Sequence, residues 1–253
     1  MSRRGNLYAV MALLVTGLTL PGTAFASSGG SGLSPSGGIG STTGSAVQAG
    51  DVPVTATGNG VTLTTTASAL LRHGLSFSGT APTSAAGQIL QIQRMGNQTS
   101  WQWAPTVQAT VGPDGSYSVS WNADHIGRFM IRAVLTSSAN ATAGTAASDP
   151  MVTTTVYRQS IATQYGPGFY GQRTACGRRL TRTTIGVANR TLKCGSQVAI
   201  LYRGETLIVP VIDRGPYANN ADWDLTEATG RALGISGTAT IGAVSLPRPP
   251  SQP

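Results

Sequence analysis

From Gly60 onward the chain repeatedly alternates apolar and polar positions. The stretches "GVTLTTTAS", "LSFSGTAP", "GQILQIQRM", "GRFMIRAVL" and "MVTTTVYR" each set apolar side chains on alternate residues. That period of two is the mark of a strand with one buried face. Between Ala109 and Trp121, "ATVGPDGSYSVSW" brackets Pro113-Asp114-Gly115 with two such runs, which predicts a β-hairpin. Further on, "QVAILYRG", "TLIVPVID" and "TATIGAVSL" supply more β-type runs.

One segment breaks the period. "DLTEATGRALG" predicts a helix with Asp224 as N-cap and Glu227 completing a capping box. Leu225, Ala228, Ala232 and Leu233 fall on one face and Gly234 ends it. The expected fold is all-β. Residues 51–157 read as an immunoglobulin-like sandwich of about seven short strands, without an intersheet disulfide. Residues 158–247 read as a second β-domain with one short helix. Before them, 27–50 is a Gly/Ser-rich linker with little apolar surface to bury, and 248–253 is a disordered tail.

Composition sharpens this picture. Of 253 residues only 10% are charged, and Gly (33) and Pro (14) are abundant, which excludes a coiled coil. The net charge of +8 is uneven: residues 158–253 hold eleven basic and five acidic side chains, whereas 27–157 balance four against four. A positive field of this kind attracts polyanions. The N-terminus selects among them. Arg3 and Arg4, an apolar stretch from Leu7 to Leu20 and Ala24-Phe25-Ala26 predict a signal peptide, residues 1–26. The stretch is short for a bilayer span. The protein is then secreted, periplasmic or wall-associated, with no stable membrane span after cleavage and no nucleic acid as its working partner. In that compartment Cys176 and Cys194, the only cysteines, are expected to pair.

Four strings stand together in the C-terminal part: "ATQYGPGFYGQRTACG", "VANRTLKCG", "VIDRGPY" and "DLTEATGRALG". In this order and spacing they resemble the rare lipoprotein A-like double-psi β-barrel domain, over about residues 160–247. The resemblance implies a six-stranded barrel whose groove binds β-1,4-linked glycans. In the lytic transglycosylase members the groove cleaves peptidoglycan between N-acetylmuramic acid and N-acetylglucosamine, leaving a 1,6-anhydro sugar. In expansin-like members it loosens wall polymers without hydrolysis. Carried onto this chain, the two acidic positions are Asp213 and Asp224, and Thr163 and Tyr165 match the polar and aromatic positions of the groove's first strand. The family's glutamate position is Arg178 and its histidine position is Asn189. The pair Cys176 and Cys194 is consistent with the family's cysteines.

The chemistry can be read beside simpler explanations. A lytic transglycosylase manages with one acid/base carboxyl, because the sugar's own 6-hydroxyl is the nucleophile. Asp213, ending an apolar run, suits that role with Asp224 assisting; Asp213 could equally tie a turn, and the N-cap alone explains Asp224. Asn189, Arg214, Tyr217 and Trp223 are candidate sugar contacts, the aromatic rings by stacking. Trp101, Trp103 and Trp121 are either core or a sugar-binding face. Arg173, Arg178, Arg179, Arg182, Arg190 and Lys193 are a solvated face or a grip for anionic wall polymers. The expected partner is peptidoglycan glycan, met by a monomer that needs no metal or cofactor. The expected function is a peptidoglycan lytic transglycosylase; the alternatives are a non-catalytic expansin-like binder and an adhesion module carried by the first domain.

Overall fold

The structure is a computed structural model that describes residues 52–136, 148–218 and 220–249. The predicted signal peptide (1–26) and linker (27–50) lie outside the described residues, as do residues 250–253 of the predicted tail. In chain order the strands are β1 (Pro53–Gly58), β2 (Val61–Thr66), β3 (Ser68–Leu70), β4 (Gly74–Thr80), β5 (Ile89–Met95), β6 (Ala104–Thr110), β7 (Ser116–Asn122), β8 (Gly127–Leu135) and β9 (Met151–Tyr165). There follow β10 (Val187–Ala188), β11 (Gln197–Tyr202), β12 (Glu205–Asp213), β13 (Trp223–Thr226), the helix α1 (Glu227–Ala232) and β14 (Ala239–Ser245).

The first nine strands form two sheets. One has the order β1-β2-β4-β7; the other runs β9-β8-β5-β6, with β3 also on β9. Alternation decides what they bury. Leu63 and Phe77 from one sheet and Leu90, Ile92, Phe129 and Ile131 from the other are fully buried in a single cluster. The predicted hairpin around Pro113 does not form. Its turn is present, with Asp114 Oδ1 accepting from Ser116 N (3.0 Å) and Oγ (2.7 Å). The flanking strands part, β6 pairing with β5 and β7 with β4. Both have an apolar face, so Val107 and Ala109 meet Tyr117 and Trp121 within the core instead of pairing side by side.

The other half is a closed barrel of six strands in the order β13-β10-β12-β11-β14-β9, sealed by β13 on β9. Pairing is mixed: β10–β12 and β13–β9 are parallel, the rest antiparallel. Val187, Val198, Ile200, Val209, Val211, Leu225 and Ile241 fill its interior. The expected domain boundary at 157/158 falls inside β9, which passes unbroken from the first sheet pair into the barrel wall. A third cluster, Leu70, Tyr157, Ala199, Leu201 and Val244, packs at this junction.

The helix is shorter than its sequence pattern implies. Its N-cap is Thr226, which accepts from Thr229 N, and Asp224 lies in β13. Sheet closure explains the difference, because residues 223–226 are needed to pair with β9 and β10. Ala232 is consequently exposed, while Ala228, Thr229 and Leu233 are buried. Gly234, at φ 67°, ends the helix in the left-handed region as expected.

Candidate functional site

Strand pleating and one irregularity build the site. Along β12, Val209 and Val211 point into the barrel; strict alternation would send Asp213 inward after them. The register slips at this point: Val187 is opposite Val211, but Ala188 is opposite Asp213. Ile212 is the extra residue, and it packs against Gly186, where a Cβ would sit 2.7 Å from it. A bulge re-aims the side chains that follow it. Here it turns Asp213 onto the outer face.

On that face four strands carry a lateral row. Asp213 is opposite Ala188, Ala188 opposite Asp224, and Asp224 opposite Thr163. The two carboxylates are thus separated by one strand, bearing only the methyl group of Ala188. Thr163 Oγ1 donates to Asp224 Oδ1 at 2.9 Å. Asp213 Oδ1 accepts from the backbone N–H of Ala175 and of Arg214, both at 2.8 Å. Ala175 adjoins Cys176, whose disulfide to Cys194 spans a Cα–Cα distance of 5.6 Å. Gly195, just beyond Cys194, donates its N–H to Val211 O. The disulfide therefore ties the loop that binds Asp213 to the strand that carries it.

Electrostatics distinguish members of the row. Burial, aided by the nearby Asp213 charge, raises the pKa of Asp224 above the usual carboxylate range, against the opposing pull of the Thr163 hydroxyl. The hydroxyl of Tyr165, on the same face as Thr163, is buried without a hydrogen bond of normal geometry. Burial first, then the charges of Asp213 and Asp224, push it up. Phe169 holds the Tyr165 ring edge-on, at 6.2 Å between centroids.

The other expected contacts divide. Asn189 Oδ1 accepts from the backbone N–H of Thr191 (3.1 Å) and Leu192 (2.9 Å), so it closes a turn. The Arg214 guanidinium reaches the backbone carbonyls of Asn189 and Asp213 and is not paired with a carboxylate among the described residues. Trp223 is only 8% exposed and belongs to the barrel core, which corrects its reading as a stacking platform: it alternates with Asp224 and so must face inward. Tyr217 is 79% exposed. Trp121 is core, whereas Trp103 lies under the Arg132 guanidinium. Arg173, Arg178, Arg179, Arg182, Arg190 and Lys193 are all exposed. Three contributors escaped the sequence reading: the Ile212 bulge, the Ala188 spacer and the Ala175 N–H. The small residue between "V" and "N" in "VANRTL" was the one available signal. Among the described residues no group of three His, Cys, Asp or Glu side chains is arranged to hold a metal.

The family match falls on the barrel. A family model described as lytic transglycolase matches residues 159–246. A Synechocystis protein named "probable endolytic peptidoglycan transglycosylase RlpA" is 40% identical over 88 residues, 34% of this chain and 27% of that protein. The Campylobacter jejuni "endolytic peptidoglycan transglycosylase RlpA" is 34% identical over 85 residues, 32% of this chain and 31% of that one. The matched part thus spans under a third of either relative. Among solved structures, the Streptomyces papain inhibitor overlaps 35% of this chain and 93% of its own, with 23% identity and a TM-score of 0.29. With six strands closed in mixed pairing, the family model over these residues and the identity to the two RlpA relatives, 159–246 are an RlpA-like double-psi β-barrel domain.

Proposed function

We propose that the protein is an envelope-located peptidoglycan lytic transglycosylase, cleaving the N-acetylmuramyl–N-acetylglucosamine β-1,4 bond. The names of the relatives support the substrate and reaction class. The observation that carries the reading is the carboxylate pair across Ala188, with Asp224 raised. A carboxyl that keeps its proton is the requirement for protonating a leaving oxygen. Asp224 gives its proton to the glycosidic oxygen as the C1–O bond breaks. The muramyl 6-hydroxyl oxygen bonds to C1, and its proton passes to Asp213. One proton leaves the pair and one returns, so no water is consumed. Sequence alone favoured Asp213 as the acid; the raised Asp224 supports the reverse division of labour, with Asp213 held by two N–H donors. Incubation with purified peptidoglycan should yield anhydro-muropeptides detectable by mass spectrometry. Absence of product from the unmodified protein, or undiminished product from both Asp213→Asn and Asp224→Asn, would refute the reading.

One observation favours a non-catalytic, expansin-like binder. Asn189 Oδ1 is committed to a turn, and an amide side chain is no proton carrier at the position where the family resemblance expects histidine. That reading predicts wall pelleting with no soluble product. The exposed basic loop around the disulfide has no acidic residue between Gly166 and Gly204, which supports anionic wall polymers as a second partner. Wall retention through this loop should fall steeply between low and high salt.

A further inference from the structure

A second concave site lies away from the carboxylate row. It is a cleft of about 640 Å³ between the outer face of β5, β8 and β9 and the barrel strands β11, β12 and β14. That volume is within the range of ligand sites, about 300–1,000 Å³. Met95 and Met130 are paired across β5 and β8 and form its apolar floor. Ile208, 43% exposed, faces them from β12. Trp101 closes one side from the loop after β5. This loop is built, not slack. Ser100 and Trp101 both have positive φ (52° and 60°), conformations that cost energy in non-glycine residues. They are held by Trp101 N and Thr99 N donating to Gly96 O, Ser100 N to Asn97 O, and Thr99 Oγ1 to Gln102 O.

The charge at the cleft has one sign. Arg128 and Arg248 line it, no acidic residue does, and neither guanidinium has an ion pair among the described residues. Side-chain amides of Asn97 and Gln98 add donors and acceptors suited to peptide groups. An apolar floor, an aromatic wall, amides and unpaired cations fit a short peptide bearing carboxylates and methyl side chains. We infer that this cleft binds the carboxylate-bearing stem peptides that branch from the glycan. The inference rests on peptidoglycan being the substrate, but not on its cleavage. From Ile208 to Asp213 along β12 is five residues, about 17 Å, and an extended four-residue stem spans up to about 14 Å. A stem seated against Ile208 therefore branches from a sugar displaced along the glycan toward the cleft, not from the sugar held at Asp213.

The test titrates the full chain with the synthetic tetrapeptide alanyl-γ-glutamyl-diaminopimelyl-alanine, following tryptophan fluorescence and heat of binding. Saturable binding is expected, weakened at least tenfold in the double variant Arg128→Gln/Arg248→Gln and at least tenfold when the peptide's carboxyls are amidated. Trp101→Phe, which removes the indole from the cleft wall, should lose the fluorescence change. Decanoate, an anion with an alkyl chain and no peptide bond, should bind at least tenfold more weakly. No saturable binding, equal binding by the double arginine variant, or decanoate binding as tightly as the peptide would each overturn the proposal. Cleavage of peptide-free glycan by the double arginine variant should match the unmodified protein. If no glycan is cleaved by any form, the transglycosylase reading fails while the peptide titration still decides the cleft.

Discussion

The two ends of β9 sit in contrasting surroundings. Over Met151–Tyr157 the strand completes a sheet pair in which buried polar side chains hold the backbone, as Thr154 Oγ1 does by donating to Thr66 O (2.9 Å). Over Arg158–Tyr165 it is a barrel stave, and its polar residues Thr163 and Tyr165 border two half-buried carboxylates. The first environment is held mainly by burial of apolar surface and ordinary hydrogen bonds, with Arg94 Nε and Thr106 Oγ1 buried there without a hydrogen bond. What sets the second apart is a pair of carboxylates on one face, one of them displaced from its solution behaviour, with a buried tyrosine hydroxyl beside them. One strand thus joins a region organised around apolar packing to a region organised around two carboxylates.

The largest test of that contrast is on the packing side. Phe77→Ala removes a fully buried ring from the first core and should cost about 3–5 kcal/mol. Because β9 and the Tyr157 cluster are shared, thermal unfolding should remain one transition at a lower temperature. Two separated transitions would show that the strand does not couple the halves. Next in size is the disulfide. Replacing Cys176 and Cys194 by serine opens a loop with a sequence separation of 18, a loss of about 3 kcal/mol. Glycan cleavage should drop more than stability explains, since Ala175 N–H would no longer be held on Asp213. Assays well below the variant's melting temperature separate the two effects; full activity there would make the disulfide purely structural.

How much of this contrast was legible beforehand follows from the physics of each half. The alternating runs of the first region located β2, β4, β5, β8 and β9, because burial on one face writes itself into the sequence. Whether β6 and β7 pair with each other or lie in opposite sheets leaves no such trace, since both arrangements bury the same residues. In the barrel, motif spacing led to Asp213, Asp224, Thr163 and the cysteine pair. Alternation alone would have turned Asp213 inward, and only the register slip at Ile212 reverses it. Asp224 reads as an N-cap from local sequence, yet the need to close the barrel takes residues 223–226 as a strand. Trp223 fails as a stacking residue for the same reason: neighbours on a strand face opposite ways, and Asp224 holds the outer face.

The carboxylate side of the comparison is sharpened by Asp224→Asn. If Asp224 is the general acid of the proposed reaction, cleavage should fall by about 100-fold or more. Stability should move the other way. A carboxyl whose folded pKa is raised contributes stability fully present below its unfolded value, near 3.8, and lost as pH rises through the folded value. Asparagine carries no such loss. The variant should therefore melt higher than the unmodified protein near pH 7, the advantage vanishing below about pH 4. A lower melting temperature at neutral pH would mean that ionised Asp224 is well satisfied, and the contrast with the first region would collapse.

The smallest expected effect is the most discriminating. Thr163 Oγ1 donates to Asp224 Oδ1 and is the one interaction opposing the upward shift of that carboxyl. Thr163→Val keeps the β-branched shape and removes the donor, a hydrogen bond worth about 1 kcal/mol net. Ionised Asp224 loses more by this than protonated Asp224, so its pKa should climb further. If Asp224 is the proton donor, the fall in cleavage rate on raising the pH should shift to higher pH in the variant, with the rate at low pH little changed. A shift to lower pH would assign the proton elsewhere, and an unmoved profile would return Asp213 to the role of acid.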